Sequence, residues 1–433
     1  MADTATNELT PFLADHGRAE LGSEGIDRIL AAVRQHLGME IAFVGRYTHD
    51  DHRELTHVST DLPLPQGPGF KEPREDSFCF HILEGRLPSL IHDAADYPAA
   101  GELPITAMLP VGCHLNVPLT FSDGTVYGSF CALSRAPDRS ITERDMGVLS
   151  AFAALALEHI ERDVGADLES AHSREKIRQV IERRELAIHH QPIHALLTGE
   201  PMGVECLARF PDAGTRGPDA WFDQAAKVGL GLDLETHAVA CAVNTLSSLP
   251  LGKYMSVNAS PELILSGRLH DLLGKGDRER LVVEVTEHTR VASYRELAEA
   301  LRALKPKARI AIDDVGAGYA GLRHIVDLAP DILKLDMSLT RDVHRDKARN
   351  ALTGAMVRFA AEIDAVLVAE GIECAEEAQA LARLGVTYGQ GWHYAKPMPV
   401  VNAQRHMLGM AQEADMPVEV VPEAKMKRIR RSA

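Results

Sequence analysis

Between residues 187 and 394 the chain carries eight short apolar runs, and each holds a polar or ionisable residue within it or at its end. In chain order these are Gln191, Glu205 with Arg209, Asn258, Glu284 with Glu287, Asp313 with Asp314, Lys334 with Asp336, Glu370 with Glu373, and Gln390. One carboxylate at a strand end is ordinary. Eight armed runs, mostly separated by helical stretches, constrain the fold far more. A (β/α)8 barrel brings the C-terminal ends of its strands to one face, and the chemistry of that fold sits there.

The runs are Ala187–Leu196, Met202–Phe210, Met255–Ser260, Leu281–Glu287, Ile310–Val315, Ile332–Leu335, Ala365–Glu370 and Tyr388–Tyr394. Helical stretches such as Ala220–Leu249, Tyr294–Leu304 and Ala348–Ile363 lie between most of them. Alternating strands and helices define an α/β architecture. Only Leu197–Pro201 separates the first two runs. That is too short for a helical crossover, so this pair reads as an antiparallel hairpin. Residues 185–410 are therefore expected to form a TIM-like (β/α)8 barrel with an antiparallel first strand.

At 433 residues the chain is long enough for two domains. Residues 21–165 read as an α+β unit, with Ile26, Leu30, Val33 and Leu37 at helical spacing. Strand-like runs follow at Ile41–Tyr47, Glu54–Ser59, Ser89–His92, His114–Phe121 and Val126–Ser134. Ser122–Asp123–Gly124 marks a hairpin between the last two. Thr142 with Asp145 marks a helix start. Residues 166–184 form a charged helical connector, read either as a coiled-coil seam between subunits or as an exposed linker held by local ion pairs. Residues 1–20 read as a flexible N-terminus, and residues 411–433 as a flexible tail with Lys425, Lys427, Arg428, Arg430 and Arg431.

Composition narrows the functional classes. A net charge of −16 argues against nucleic-acid polymers as partners. No apolar run approaches the length of a transmembrane segment, and MADTATNELT lacks the features of a signal peptide. The six cysteines contain no CxxC pair, which fits a reducing cytoplasm. An acidic enzyme can still take an anionic substrate when divalent cations sit between the two.

The residues themselves point to such cations. Glu205, Asn258, Glu284, Asp313, Asp314 and Glu370 all ligate through oxygen, which suits Mg²⁺ or Mn²⁺ rather than Zn²⁺. Adjacent Asp313 and Asp314 can serve two ions, and paired ions stabilise both oxygens of a phosphoryl displacement. Lys334 can hold an attacking water and offset developing charge. Arg209 has the planar fork that suits a phosphate. Gly316–Ala317–Gly318–Tyr319 permits close backbone approach. Taken singly, each acid reads as a solvated strand end, Asn258 as a turn former and Arg209 as a surface ion pair. Their common placement weakens that reading.

Several motifs in this region resemble the EAL family of cyclic-di-GMP phosphodiesterases. They are Glu205–Cys206–Leu207–Ala208–Arg209, Val257–Asn258–Ala259–Ser260, Glu284–Val285–Thr286–Glu287, Asp313–Asp314–Val315–Gly316–Ala317–Gly318–Tyr319, Lys334–Leu335–Asp336, Ala369–Glu370–Gly371–Ile372–Glu373 and Gln390–Gly391. The resemblance covers residues 175–410. It implies that Glu205, Asn258, Glu284 and Asp313 hold one metal, and that Asp313, Asp314 and Glu370 hold or position a second. It further implies that Lys334 assists the nucleophilic water and Glu287 braces the loop after the Asp pair. Gln191, Leu207, Arg209, Thr286, Asp336, Glu373 and Gln390 would line the site for cyclic-di-GMP, which opens to linear pGpG. Cys206 stands where the family usually has Ala, and Val315 where it commonly has Phe. Neither position supplies a ligand.

Residues 21–165 resemble a GAF sensory domain through Ser77–Phe78–Cys79, Ile91–His92–Asp93–Ala94, Val117–Pro118–Leu119 and Tyr127–Gly128–Ser129. Such domains bind small molecules or simply dimerise, so the domain takes an unknown small molecule or none. Cys113–His114 invites comparison with bilin attachment, but it lies at a strand edge, whereas attachment sites usually lie on a helix. Cys79 and His81 could touch a ligand or merely pack. The resulting expectation is a cytoplasmic, homodimeric, GAF-regulated phosphodiesterase. The alternatives are a catalytically silent cyclic-di-GMP receptor and a barrel enzyme in which Lys334 serves as base towards a metal-stabilised enolate.

Overall fold

The structure is a computed structural model that describes residues 23–64, 66–211, 217–274, 279–285, 293–316 and 322–410. The chain divides into two compact units, Met1–His172 and Ser173–Ala433.

Among the described residues, the first unit is built on a six-stranded antiparallel sheet. Its strands are β1 (Ile41–Tyr47), β2 (His52–Thr60), β3 (Lys71–Pro73), β4 (Leu90–Ile91), β5 (Cys113–Thr120) and β6 (Val126–Ser134). Their spatial order is β3-β2-β1-β6-β5-β4. The two faces follow the period of two along each strand. Ala42, Val44, Phe130 and Ala132 pack under the helices Ser23–His36 and Glu143–Arg183, through Ile26, Leu30, Leu149, Ala156 and Ile160. Ile41, Phe43, Cys131 and Leu133 face the other way, towards Leu55 and Cys79. The hairpin at Ser122–Gly124 forms as its sequence indicates: Gly124 takes φ +90°, and Asp123 accepts from the Thr125 amide at 2.8 Å. At the start of helix Glu143–Arg183 the Thr142 amide and hydroxyl both donate to Asp145, each at 2.8 Å.

The second unit is a closed barrel. Its strands are β7 (Ala187–Ala195), β8 (Pro201–Arg209), β9 (Tyr254–Ala259), β10 (Leu281–Val285), β11 (Arg309–Val315), β12 (Ile332–Leu335), β13 (Val366–Ala369) and β14 (Tyr388–Gly389). A short β15 (Met398–Pro399) also pairs with β7. Strands β8 to β14 are parallel to their neighbours, and β7 is antiparallel to both β8 and β14, which closes the ring. Two elements differ from those expected by more than a residue or two. The run Tyr388–Tyr394 is strand only over Tyr388–Gly389, because the chain turns at Gly391 to bond Ile372. The stretch Ala220–Leu249 is two helices, Pro218–Lys227 and Gly231–Asn244, broken where Gly229 takes φ +72°.

Side-chain alternation sorts the barrel into shells. Val204, Cys206, Val257, Val283, Ile312, Leu333, Leu335 and Leu367 point outward into the main apolar core with the surrounding helices. Ile193, Tyr254, Val282, Ala311, Ile332 and Val368 fill the barrel interior. Two residues further along β10, β11, β12 and β13, the same inward ladders reach Glu284, Asp313, Lys334 and Glu370. The apolar layer is therefore the floor on which the polar mouth stands.

Gly203 is required by that floor. A Cβ there would lie 2.7 Å from three carbons of the Tyr254 ring, which also sits under the Arg309 guanidinium. Gly203→Ala is expected to destabilise the barrel by about 1–3 kcal/mol through overpacking, read as a lowered urea midpoint. An unchanged midpoint would mean that the Tyr254 layer is loosely packed.

Candidate active site

The mouth of the barrel is organised around one buried ammonium. Lys334, 1% exposed, lies 2.7 Å from Glu370, 2.8 Å from Glu284, 3.1 Å from Asp313 and 3.5 Å from Glu205. Four strands deliver these carboxylates to one point. Two amides complete the ring: Asn258 donates to Glu205 at 3.1 Å, and Gln390 donates to Glu205 at 2.6 Å and to Glu370 at 3.1 Å. Register explains part of this convergence, because Glu284 lies beside Asn258 across β10 and β9, and Gln191 lies opposite Glu205 across β7 and β8.

Asp313 and Asp314 are adjacent, so a regular strand would send them to opposite faces. The ladder between β11 and β12 slips between Ile312 and Val315. Asp314 takes the left-handed conformation at φ +55°. Both carboxylates thereby stay on the mouth side, where Asp313, Asp314 and Glu370 each offer an oxygen within 4.8 Å of the others. Gly316 follows at φ +109°, and a Cβ on it would lie 2.3 Å from Leu339.

The electrostatics are those of an undercompensated acid cluster. Burial alone would lower the Lys334 pKa, but Glu205, Glu284, Glu370 and Asp313 hold it well above its ordinary value. Burial pushes Glu284 up to about 8, with Glu205 and Asp313 adding repulsion against the pull of Lys334. Burial also drives Glu370 well above the usual carboxylate range. Glu205 goes the other way: against the cost of burial, Lys334 and the amides of Gln390 and Asn258 hold it low. One lysine cannot balance these acids. The donors are oxygen-rich and converge on a small volume, so they fit hard divalent cations.

A cleft of about 690 Å³ opens beside the cluster, lined among others by Glu205, Leu207, Arg209, Asn258 and Asp313. That volume lies within the usual range of ligand sites. Arg209 spends one N–H on the Ala208 carbonyl at 2.8 Å, and Gln191 donates to the Ala395 carbonyl at 3.2 Å. Asp336 caps the short helix Met337–Thr340 by accepting from Ser338 at 2.9 Å. Glu373 pairs with Arg341 at 2.6 Å on the surface. These two acids are thus engaged locally. Thr286, Glu287 and Ala317–Tyr319 lie outside the described residues. Cys206 points into the outer core, away from the carboxylates.

Sequence reasoning does not find Glu235. It sits on helix Gly231–Asn244 and accepts from the Ser260 amide at 2.5 Å and hydroxyl at 2.6 Å. It thereby pins the end of β9, two residues beyond Asn258. The available signal is an acid beside the buried Leu234, Ala238 and Val239 of that helix.

A TIM-like barrel with a lysine-centred ring of oxygen donors defines a class of cation-ready barrel sites. Residues 174–397, more than half of the chain, match the EAL domain model, and the chain belongs to the EAL family. Residues 23–160 match the GAF domain model. The chain is 28% identical over 263 residues to the probable cyclic di-GMP phosphodiesterase PdeB of Escherichia coli (strain K12), covering 58% of this chain and 49% of that one. It is 30% identical over 253 residues to the probable cyclic di-GMP phosphodiesterase PdeG of the same organism, covering 55% and 50%. The chain spans about half the length of these curated relatives. In fold it is similar to the EAL enzyme Bd1971 in its cAMP- and cyclic-di-GMP-bound form, with a TM-score of 0.52 and 20% identity over 85% of this chain and 93% of that one.

The raised acids set a pH dependence for chelator-treated protein. Carboxyls whose pKa is higher folded than unfolded bind extra protons in the folded state, so their contribution is complete at low pH and lost as pH rises through the folded value. Stability in chelator is therefore expected to fall between about pH 4.5 and 8, the window set by Glu284. Glu284→Gln should flatten that slope in urea titrations. A slope unchanged by the substitution would contradict the assignment.

Proposed function

We propose that this chain is a divalent-metal-dependent phosphodiesterase that hydrolyses cyclic-di-GMP to linear pGpG. The observation that carries the reading is the four-carboxylate ring around Lys334, open to the adjoining cleft. Glu205, Asn258, Glu284 and Asp313 would hold one Mg²⁺ or Mn²⁺ ion, and Asp313, Asp314 and Glu370 the second. Such a pair supplies charge neutralisation at the attacking and leaving oxygens of a phosphoryl displacement.

The chain's own groups do the rest. Lys334 is held protonated, so its Nζ donates a hydrogen bond to the attacking water and offsets charge as the displacement proceeds. This supports a donor role over a base. Arg209, at the rim, would grip a phosphate oxygen pair. Gln191, Leu207, Thr286, Asp336, Glu373 and Gln390 would orient the dinucleotide, with Glu287 bracing the loop beyond Gly316. Glu235 is a positioning residue, since it reaches the site only through Ser260 and the end of β9.

In the whole protein the GAF domain would regulate the barrel, through an unknown small molecule or none, in a cytoplasmic homodimer. Among the described residues no helix is long and apolar enough to cross a membrane.

Chromatography of products from cyclic-di-GMP with Mg²⁺ or Mn²⁺ tests the activity. The full chain is expected to yield pGpG, and Glu205→Ala and Lys334→Ala to lose about 10²–10³-fold or more in kcat. Tight calorimetric binding without product in either metal would replace this reading with a silent receptor. Glu235→Gln is expected to retain the fold and lose less kcat than either. A loss equal to that of Lys334→Ala would place Glu235 in direct contact with the reaction.

A further inference from the structure

The N-terminal sheet buries a second cluster of ligating atoms, of a softer kind. Cys79 comes from helix Phe78–Leu83, His114 from β5 and Cys131 from β6. One donor atom from each lies within 4.8 Å of the others. All three residues are no more than 1% exposed. The strand period places His114 and Cys131 on the same face, while Cys113 and Leu115 turn to the opposite one. The His114 ring is stacked on Phe78, with centroids 5.2 Å apart.

Two buried thiols packed side by side would by themselves be ordinary. The Cys79 and Cys131 sulfurs lie 3.2 Å apart and can share one weak S–H donor. That arrangement leaves the surrounding polar atoms unanswered. His114 Nδ1 and Asn116 Oδ1 are buried with no hydrogen-bond partner, and both residues are 1% exposed. Buried polar atoms are rarely left so. Asn116 lies directly across from Cys131 and donates its amide to that sulfur at 3.1 Å.

We propose that Cys79, His114 and Cys131 form a binding site for a borderline-soft divalent cation of the Zn²⁺ type. Two thiolates and an imidazole are the donors such an ion selects, unlike the oxygen set of the barrel. Ligation at about 2.3 Å in tetrahedral geometry puts two sulfurs about 3.8 Å apart, so the pair need only open by roughly 0.6 Å. The charges also close. Arg53 donates to Cys79 at 3.4 Å and pairs with Glu72 at 2.6 Å, with both side chains buried. The Arg53–Glu72 pair is neutral, and two thiolates neutralise one divalent ion. Arg53 thus acts as an outer donor to a ligating sulfur, a common way of fixing such ligands. The fourth position falls to the Asn116 oxygen or to a small ligand from the apolar cavity that His114 and Arg53 also line.

Titration of the reduced 433-residue chain with Co²⁺, in buffer containing excess Mg²⁺, tests the site by a readout independent of phosphodiesterase activity. The expected result is thiolate-to-metal charge-transfer absorption that saturates at one thiolate-bound Co²⁺ per chain and is lost on addition of Zn²⁺, whatever Co²⁺ the barrel carboxylates take up. Cys113→Ser and Glu205→Ala should keep that spectrum. Cys79→Ser, Cys131→Ser and His114→Ala should weaken binding at least tenfold. Should those variants fail to fold, X-ray absorption on the unsubstituted protein decides by reporting sulfur and imidazole ligation or its absence. No thiolate band would overturn the proposal. So would a band that survives in the Cys79→Ser/Cys131→Ser double variant, or a Cys79–Cys131 disulfide in protein prepared without reductant that carries no metal.

Discussion

The barrel mouth depends on a charge imbalance. Four carboxylates converge on one buried ammonium, and one positive charge cannot satisfy them all. Removing Lys334 from such a set would leave uncompensated charge in a poorly solvated place, a kind of loss that costs about 3–5 kcal/mol in measured systems. The protein tolerates the arrangement because the surrounding barrel holds it. The acids are on separate parallel strands whose outward faces are locked into one apolar core.

Each inward ladder has two steps. Val282 precedes Glu284, Ala311 precedes Asp313, Ile332 precedes Lys334 and Val368 precedes Glu370. The lower step excludes water and fixes the rotamers above it. The upper step then sits in a low-dielectric pocket where charge interactions are strong. Stability and chemistry are thus built from the same strands, one layer apart. The exception is β11, where the slipped register and the left-handed Asp314 bring two consecutive acids to one side.

Much of this was legible in the sequence. The short apolar runs, set between helical stretches, located β7 to β13 to within a residue or two, and the short Leu197–Pro201 link implied the antiparallel β7. The order of polar strand ends located the ring. What was not legible needed three-dimensional context. Nothing local shows that Asp313 and Asp314 share a face, because that rests on pairing with β12. Nor does anything local show that Asp336 and Glu373, read as site residues from their motifs, meet a helix N-terminus and Arg341 in this structure. Gly229 lay inside an apparently continuous helical pattern, and only the left-handed turn it permits separates the two helices. Glu235 was hidden because its partner, Ser260, lies on a different element.

The two units carry donor sets of opposite character, oxygen at the barrel mouth and sulfur with imidazole in the sheet domain. The central proposal concerns the first: the carboxylates around Lys334 would hold divalent cations. Anomalous diffraction from crystals soaked in Mn²⁺ tests it most directly. The account predicts manganese peaks at the mouth, bound by Asp313 and its neighbours, with Lys334 drawn away from at least two of its four carboxylates. A mouth without manganese, with Lys334 still bonded to all four, would contradict it.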